Sequence, residues 1–148
     1  MAYNSAELIS KAINLIQENY LLDAEKILEK FTEKDDFYAD AMRFMSVISA
    51  MNKNYSKALY LINKVIKMTP ANGVAHSNKG NILRCMGDLK GAINEYQMAA
   101  SLNPNYHETF NNLGNLFQEI KQFEKAIEHY DFAINIDDQY ANAYMNKG

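Results

Sequence analysis

The sequence is poor in the groups from which most chemistry is built. It contains one cysteine, Cys85, which can form neither an internal disulfide nor a multi-thiolate metal site and so fits a reducing compartment. Cys85 has only Arg84 beside it to favour the thiolate, so a reactive thiol is not expected. The three histidines, His76, His107 and His129, lack any metal-ligand spacing such as His-Glu-x-x-His; they read as packing or surface residues, and neither a metal nor another cofactor is expected. The glycines between 80 and 91 have no Gly-Lys-Ser/Thr ending and no strand before them, which argues against a phosphate cradle. A net charge of -3 with no basic stripe argues against nucleic acid. No run of about 18 apolar residues is present, so no membrane span is expected. The N-terminus lacks the basic and apolar regions of a signal segment, leaving the cytoplasm as the default location. With 148 residues there is room for one ordinary domain and none for a catalytic domain beside it, so the chain is not expected to be an enzyme.

What the sequence does contain is a period. Shifted by 34 residues, it matches itself: Ala24, Ala58, Ala92 and Ala126 fall on one row, and Ala12, Ser46, Gly80, Gly114 and Gly148 on another, all small. A third row reads Leu28, Ile62, Tyr96 and Tyr130, and a fourth Phe31, Val65, Ala99 and Ala133. Within each period lie two stretches of helical spacing. In the third, residues 74–86 are followed by Gly87-Asp88, after which Leu89, Ala92, Ile93, Tyr96 and Ala99 recur three and four apart, the mark of an amphipathic helix. Thr69-Pro70 and Asn103-Pro104 close successive periods, because proline cannot continue a helix interior. At the start of the chain Asn4 or Ser5 is placed to cap the first helix. The small rows have a steric explanation: only Gly, Ala or Ser lets two helix backbones approach closely, while residues such as Leu83, Leu89 and Tyr96 fill the space around the crossing.

These residues resemble the tetratricopeptide repeat (TPR) family. The third and fourth periods carry the resemblance best, as Asn78-Lys-Gly-Asn followed by Gly87-Asp-Leu-Lys-Gly-Ala-Ile, and as Asn112-Leu-Gly-Asn followed by Phe123-Glu-Lys-Ala-Ile-Glu-His-Tyr. It extends from Ser5 to the last residue and divides a single TPR domain, 1–148, into units 5–38, 39–72, 73–106 and 107–140, with 141–148 opening a fifth. The first unit departs most, with Asp36 where the family prefers proline and Ala12 where it prefers glycine, so its closing loop at 32–37 is expected to be irregular. The resemblance implies an all-α fold, an α-solenoid of antiparallel helix-turn-helix units forming a right-handed superhelix. Its inner wall, made by the first helix of each unit, would be a protein- or peptide-binding surface.

On that wall Asn78, Asn112 and Asn146 form one row and Asn81 and Asn115 a second, one helical turn further on. An asparagine amide offers both a donor and an acceptor, the complement of a peptide unit, so a ladder of them suits an extended polypeptide. The arrangement resembles the asparagine ladder in the repeat region of O-GlcNAc transferases. The family's carboxylate clamp for chaperone tails needs several cations here, and Arg43 and Arg84 stand alone, with Val74, Ser77, Glu108 and Asn142 at positions where positive charge is wanted.

The wall changes character along the chain. The first two units present Ile9, Ile13, Ile16, Phe44, Val47 and Met51, an apolar inner wall, whereas the next two present the asparagines with Gln118 and Glu119. The apolar end predicts either a pocket for a partner's side chains or burial against a neighbouring segment or another copy. The sequence stops at Gly148, partway through a fifth unit, which predicts a fragment of a longer protein and an uncapped end favouring homo-oligomers. The leading functional expectation is a protein-interaction module that grips an extended chain. The alternatives are the substrate-recognition arm of a larger enzyme such as a glycosyltransferase, and a structural spacer or self-association module.

Overall fold

The computed structural model describes residues 4–136, and all regular structure among them is helical. Eight helices follow one another there: α1 (Ser5–Gln17), α2 (Leu21–Leu28), α3 (Tyr38–Met51), α4 (Tyr55–Met68), α5 (Gly73–Cys85), α6 (Leu89–Leu102), α7 (His107–Glu119) and α8 (Phe123–Ile136). Each odd-numbered helix packs on the even-numbered helix after it, giving one hairpin per sequence period. The hairpins group into two compact units that divide between Pro70 and Ala71. In the first, α2 also packs on α3, and α1 on α3; in the second, α6 packs on α7.

The turn inside each hairpin is one backbone device used four times. Asn19, Lys53, Gly87 and Lys121, spaced 34 apart, all have left-handed backbone, with φ of 67°, 61°, 87° and 62°. At each turn the next residue's N–H reaches back to a carbonyl five positions earlier: Tyr20 to Leu15 at 2.8 Å, Asn54 to Ser49 at 2.8 Å, Asp88 to Leu83 at 2.9 Å and Gln122 to Phe117 at 2.8 Å. This is the Schellman closure, which satisfies carbonyls that the helix end leaves open. After two of these turns the following helix starts on a side-chain cap: Asn54 Oδ1 accepts the Lys57 N–H at 3.2 Å, and Asp88 Oδ1 the Gly91 N–H at 2.9 Å. Asn4 caps α1 in the same way, accepting from Ala6 at 3.1 Å and from Glu7 at 3.4 Å.

The first unit ends irregularly, as its Asp36 suggests. Helix α2 has 8 residues where α4, α6 and α8 have 14 each. The Asp35 carboxylate accepts from both the Thr32 N–H (2.7 Å) and the Thr32 hydroxyl (3.0 Å), a local turn that competes with helix continuation. Phe31, although beyond the helix, remains buried in the core cluster with Ile9, Ala12, Ala24, Ile27, Leu28, Ala41 and Ile48. A larger side chain thus reaches the core from a position where later periods place Val65, Ala99 and Ala133 on a helix.

The hairpin crossings account for the small rows. A Cβ added to Gly80 would lie 2.6 Å from the Tyr96 ring, and one added to Gly114 2.4 Å from the Tyr130 ring. The aromatic rings therefore occupy the space that any side chain at these two positions would need. Ser46, in the same row, is fully buried and donates its hydroxyl to the Ala58 carbonyl at 2.9 Å, linking α3 to α4. In the second unit Tyr96 and Tyr130 join Ala92, Leu113, Leu116, Phe117 and Ala126 in one core cluster.

Candidate functional site

The second unit brings four of the predicted asparagines onto two helices: Asn78 and Asn81 on α5, Asn112 and Asn115 on α7. Asn81 is exposed and the other three are half-buried. Asn146 lies outside the described residues. Beside Asn81 the surface dips into a recess of about 360 Å³ lined by Asn81, Arg84, Cys85 and Glu119.

The second row of asparagines is tied to the core from beneath. The Tyr96 hydroxyl donates to Asn81 Oδ1 at 2.5 Å, and the Tyr130 hydroxyl sits 2.6 Å from Asn115 Oδ1 and 2.8 Å from Gln118 Oε1. A glycine, Gly80 or Gly114, gives each ring its place, so the small row and the asparagine row serve the same arrangement. At Asn81 the amide oxygen already has one partner within the protein. That partner is Tyr96, because a tyrosine hydroxyl so far from water must bond to the protein.

Arg84 is not isolated. Its guanidinium forms an ion pair with Glu119, joining α5 to α7 across successive hairpins. Burial pulls the Arg84 pKa down, but the hydrogen bond and charge of Glu119 outweigh it and the net shift is upward. Burial pushes the Tyr96 phenol up to about 12, against the opposing charge and hydrogen bonding of Arg84; burial raises Tyr130 as well. In the sequence the Arg84–Glu119 pairing shows only as a spacing of 35 residues, one period plus one. Also in this unit, His76 Nδ1 lies 2.7 Å from Glu95 Oε2, and Lys79 Nζ 3.2 Å from Glu95 Oε1, joining α5 to α6. Among the described residues no group of three or more His, Cys, Asp and Glu is placed to hold a metal ion.

The apolar wall of the first unit borders the core and is mostly half-buried. Ile9 is only 8% exposed, and Ile13, Ile16 and Phe44 pack against the cluster it belongs to. Val47 is half-buried; Met51, at 46% exposure, is the member of the set that faces outward. α1 packs against α3, so part of the strip of first-helix residues that the period aligned lies against its neighbour. The sequence reading also missed a cleft of about 800 Å³ in this unit, lined by Glu33, Tyr38, Tyr60, Asn63, Lys64, Lys67 and Met68. There the Lys64 ammonium donates to the Tyr38 oxygen at 3.1 Å, a bond that raises the lysine's pKa.

Family models agree with the period and the hairpins. One described as TPR repeat matches residues 80–121, and one described as Tetratricopeptide repeat matches residues 107–140. Residues 80–140 carry tetratricopeptide repeats. A TPR repeat-containing protein of Methanocaldococcus jannaschii is 32% identical over 102 residues, 69% of this chain and 18% of its own length. The human protein O-mannosyl-transferase TMTC1 is 30% identical over 87 residues, 56% of this chain and 10% of its own length. The chain thus spans less than a fifth of either relative. Among solved structures, YrrB, described as a TPR protein with an unusual peptide-binding site, superposes with a TM-score of 0.73 at 19% identity, over 92% of this chain and 70% of YrrB. At that identity the likeness establishes the TPR fold. Among the described residues no helix is long and apolar enough to cross a membrane.

Proposed function

We propose that the chain is a protein-interaction module that holds an extended polypeptide along α5 and α7, with Asn78, Asn81, Asn112 and Asn115 as its grip. The observation that carries this reading is the pair of asparagines, Asn81 and Asn115, held in equivalent poses one period apart by Tyr96 and Tyr130, next to the recess between Arg84 and Glu119. Amides fixed in advance lose little freedom on binding, and a repeat spacing suits a ligand with a repeating backbone. The peptide-binding site described for YrrB supports the same use of the fold. Asn146 extends the first row in sequence and would lengthen the grip.

The test is a linear peptide selected from a random display library on the wild-type chain, with its affinity measured by calorimetry. The Asn78→Ala/Asn112→Ala double variant is expected to bind it at least about tenfold more weakly, the loss of one to two hydrogen bonds. Equal affinity would reject the asparagine grip. The likeness to the human O-mannosyl-transferase favours a second reading, in which the repeats form the substrate-recognition arm of a larger enzyme. That reading predicts enrichment of Ser or Thr, the hydroxyl-bearing acceptors, among the selected peptides; selection without such enrichment counts against it.

A further inference from the structure

The cleft of the first unit is built on one face of one helix. Tyr60, Asn63, Lys64, Lys67 and Met68 recur at the spacings that line up along a helix, opposite the face on which α4 buries Ala58, Leu61, Ile62 and Val65. From Tyr60 to Met68 this stripe runs about 12 Å along the helix axis, the length of about four residues of extended chain. The positions one period earlier are 26, 29, 30, 33 and 34, and four of the five fall beyond the end of α2 at Leu28. The cleft thus accompanies the missing turns of α2, and Glu33, from that irregular segment, lines it.

The later periods do not keep the chemistry of this stripe. The positions of Lys64 and Lys67 hold Met98 and Ser101 in α6, and Phe132 and Asn135 in α8, so neither later stripe carries a cation. Helix α4 has Lys57, Lys64 and Lys67 and no acidic residue, within a chain of net charge -3. Lys57 is paired with Glu25 at 3.1 Å. The Lys64 ammonium is held in place by Tyr38: it donates to the phenol oxygen at 3.1 Å and lies 5.5 Å from the ring centre. Its carboxylate partner, Glu33, stands 3.9 Å away and is 79% exposed, an arrangement in which an ion pair contributes little. Lys67 forms no ion pair or hydrogen bond among the described residues. Tyr60 and Met68, 67% and 41% exposed, stand at the two ends of the stripe, with both lysines between them in the sequence.

We propose that this cleft is a second docking site, made of other residues than the asparagine rows, and that it takes a short acidic segment of a partner polypeptide in extended form. Lys64 and Lys67 hold its side-chain carboxylates, while Tyr60 and Met68 cover apolar side chains on either side of them. Two ammonium groups against one loosely held carboxylate leave a surplus of positive charge, which selects acids. The exposed ring and thioether beside them favour a chain that also carries apolar groups over a free small anion. An incoming carboxylate displaces Glu33 from Lys64, so Glu33 acts as a weak internal competitor. Lysines in the last turns of a helix also complement its dipole, and the test must separate that role from binding.

The experiment uses the full chain carrying Asn78→Ala and Asn112→Ala, so that the asparagine grip takes no part. Random segments displayed inside a loop, with no free terminus, are selected on it, and a recovered segment is made as a peptide blocked at both ends. Recovered segments are expected to be enriched in Asp and Glu beside large apolar residues; selection without acidic enrichment, or with no recovery, overturns the proposal. Lys64→Gln/Lys67→Gln is expected to weaken the peptide at least about tenfold, and Lys64→Arg/Lys67→Arg to keep its affinity within about threefold. Loss in both variants with a lowered melting temperature would assign the lysines to the stability of α4 and overturn the proposal, as would full affinity in the glutamine variant. Glu33→Gln, which removes the competitor, is expected to tighten binding about twofold to fivefold, and Tyr60→Ala/Met68→Ala to weaken it about tenfold. Weaker binding to the former, or unchanged binding to the latter, would overturn the site. Because the grip is already removed, none of these outcomes bears on the reading of α5 and α7.

Discussion

At the scale of single residues, the chain is most constrained where a glycine faces a tyrosine. The Tyr130 ring lies 2.4 Å from where a Gly114 Cβ would be, well inside contact distance, and the ring is buried with nowhere to retreat. Gly114→Ala is therefore expected to cost about 1 to 3 kcal/mol in chemical denaturation. The first period carries Ala12 and Leu28 at the equivalent positions, so adding Tyr130→Leu to Gly114→Ala should recover part of that loss. A double-mutant cycle with no coupling would show that the two residues do not compete for one space. Thr109 is the opposite case, a fully buried hydroxyl with no hydrogen-bond partner among the described residues, where the two preceding periods place Ala41 and Ala75. Thr109→Val removes the orphaned oxygen and keeps the shape. It is expected to leave the melting temperature unchanged or raise it, with a gain of up to about 1 kcal/mol.

At the scale of helices and turns, the left-handed residues at 19, 53, 87 and 121 repeat as strictly as any row, yet only Gly87 announces the conformation. Asn19 is the next best suited, and Lys53 and Lys121 hold the same backbone against their side chains. Lys121→Gly should relieve that strain by more than the added freedom of the unfolded chain takes back, a net stabilisation of about 0.5 to 1 kcal/mol in thermal melts. A destabilised Lys121→Gly would mean that the side chain contributes packing the turn needs. This device explains how much of the fold could be read in advance. Helix pairs, their period and the crossings were legible because apolar spacing and small residues report them directly. The turn conformation was legible at one position of four, because lysine gives no local sign that it adopts a left-handed backbone. The early end of α2 was legible only as an anomaly at Asp36; its cause, the Thr32–Asp35 turn, depends on side-chain hydrogen bonds that spacing does not encode. The site divides in the same way. The asparagine register came from the period, whereas the tyrosine hydroxyls beneath it and the Arg84–Glu119 pair come from packing between elements.

At the scale of the whole molecule, the two units have the same plan and different chemistry in the row that fills the crossings. Residues 28 and 62 are Leu and Ile in the first unit, and residues 96 and 130 are Tyr in the second, so only the second buries ionisable groups there. The consequence is a difference in alkaline stability. An unfolded tyrosine ionises near pH 10, while burial holds the Tyr96 proton up to about 12 and raises Tyr130 in the same direction. Above pH 10 the unfolded chain has therefore released protons that the folded chain still holds, and stability must fall as pH rises. The contribution of Tyr96 is complete below pH 10 and is lost as pH climbs through about 12, on the order of 2 kcal/mol. Melting curves at pH 8 and pH 11 should show the wild-type chain losing more stability than the Tyr96→Phe/Tyr130→Phe variant, which has no hydroxyl to ionise at either crossing. Leu28 and Ile62 give the first unit no such term, so the excess loss should appear in residues 71–148, where limited proteolysis at the higher pH would cut first. Equal alkaline losses in wild type and variant would place the ionising groups elsewhere and remove the buried tyrosines from the account of stability.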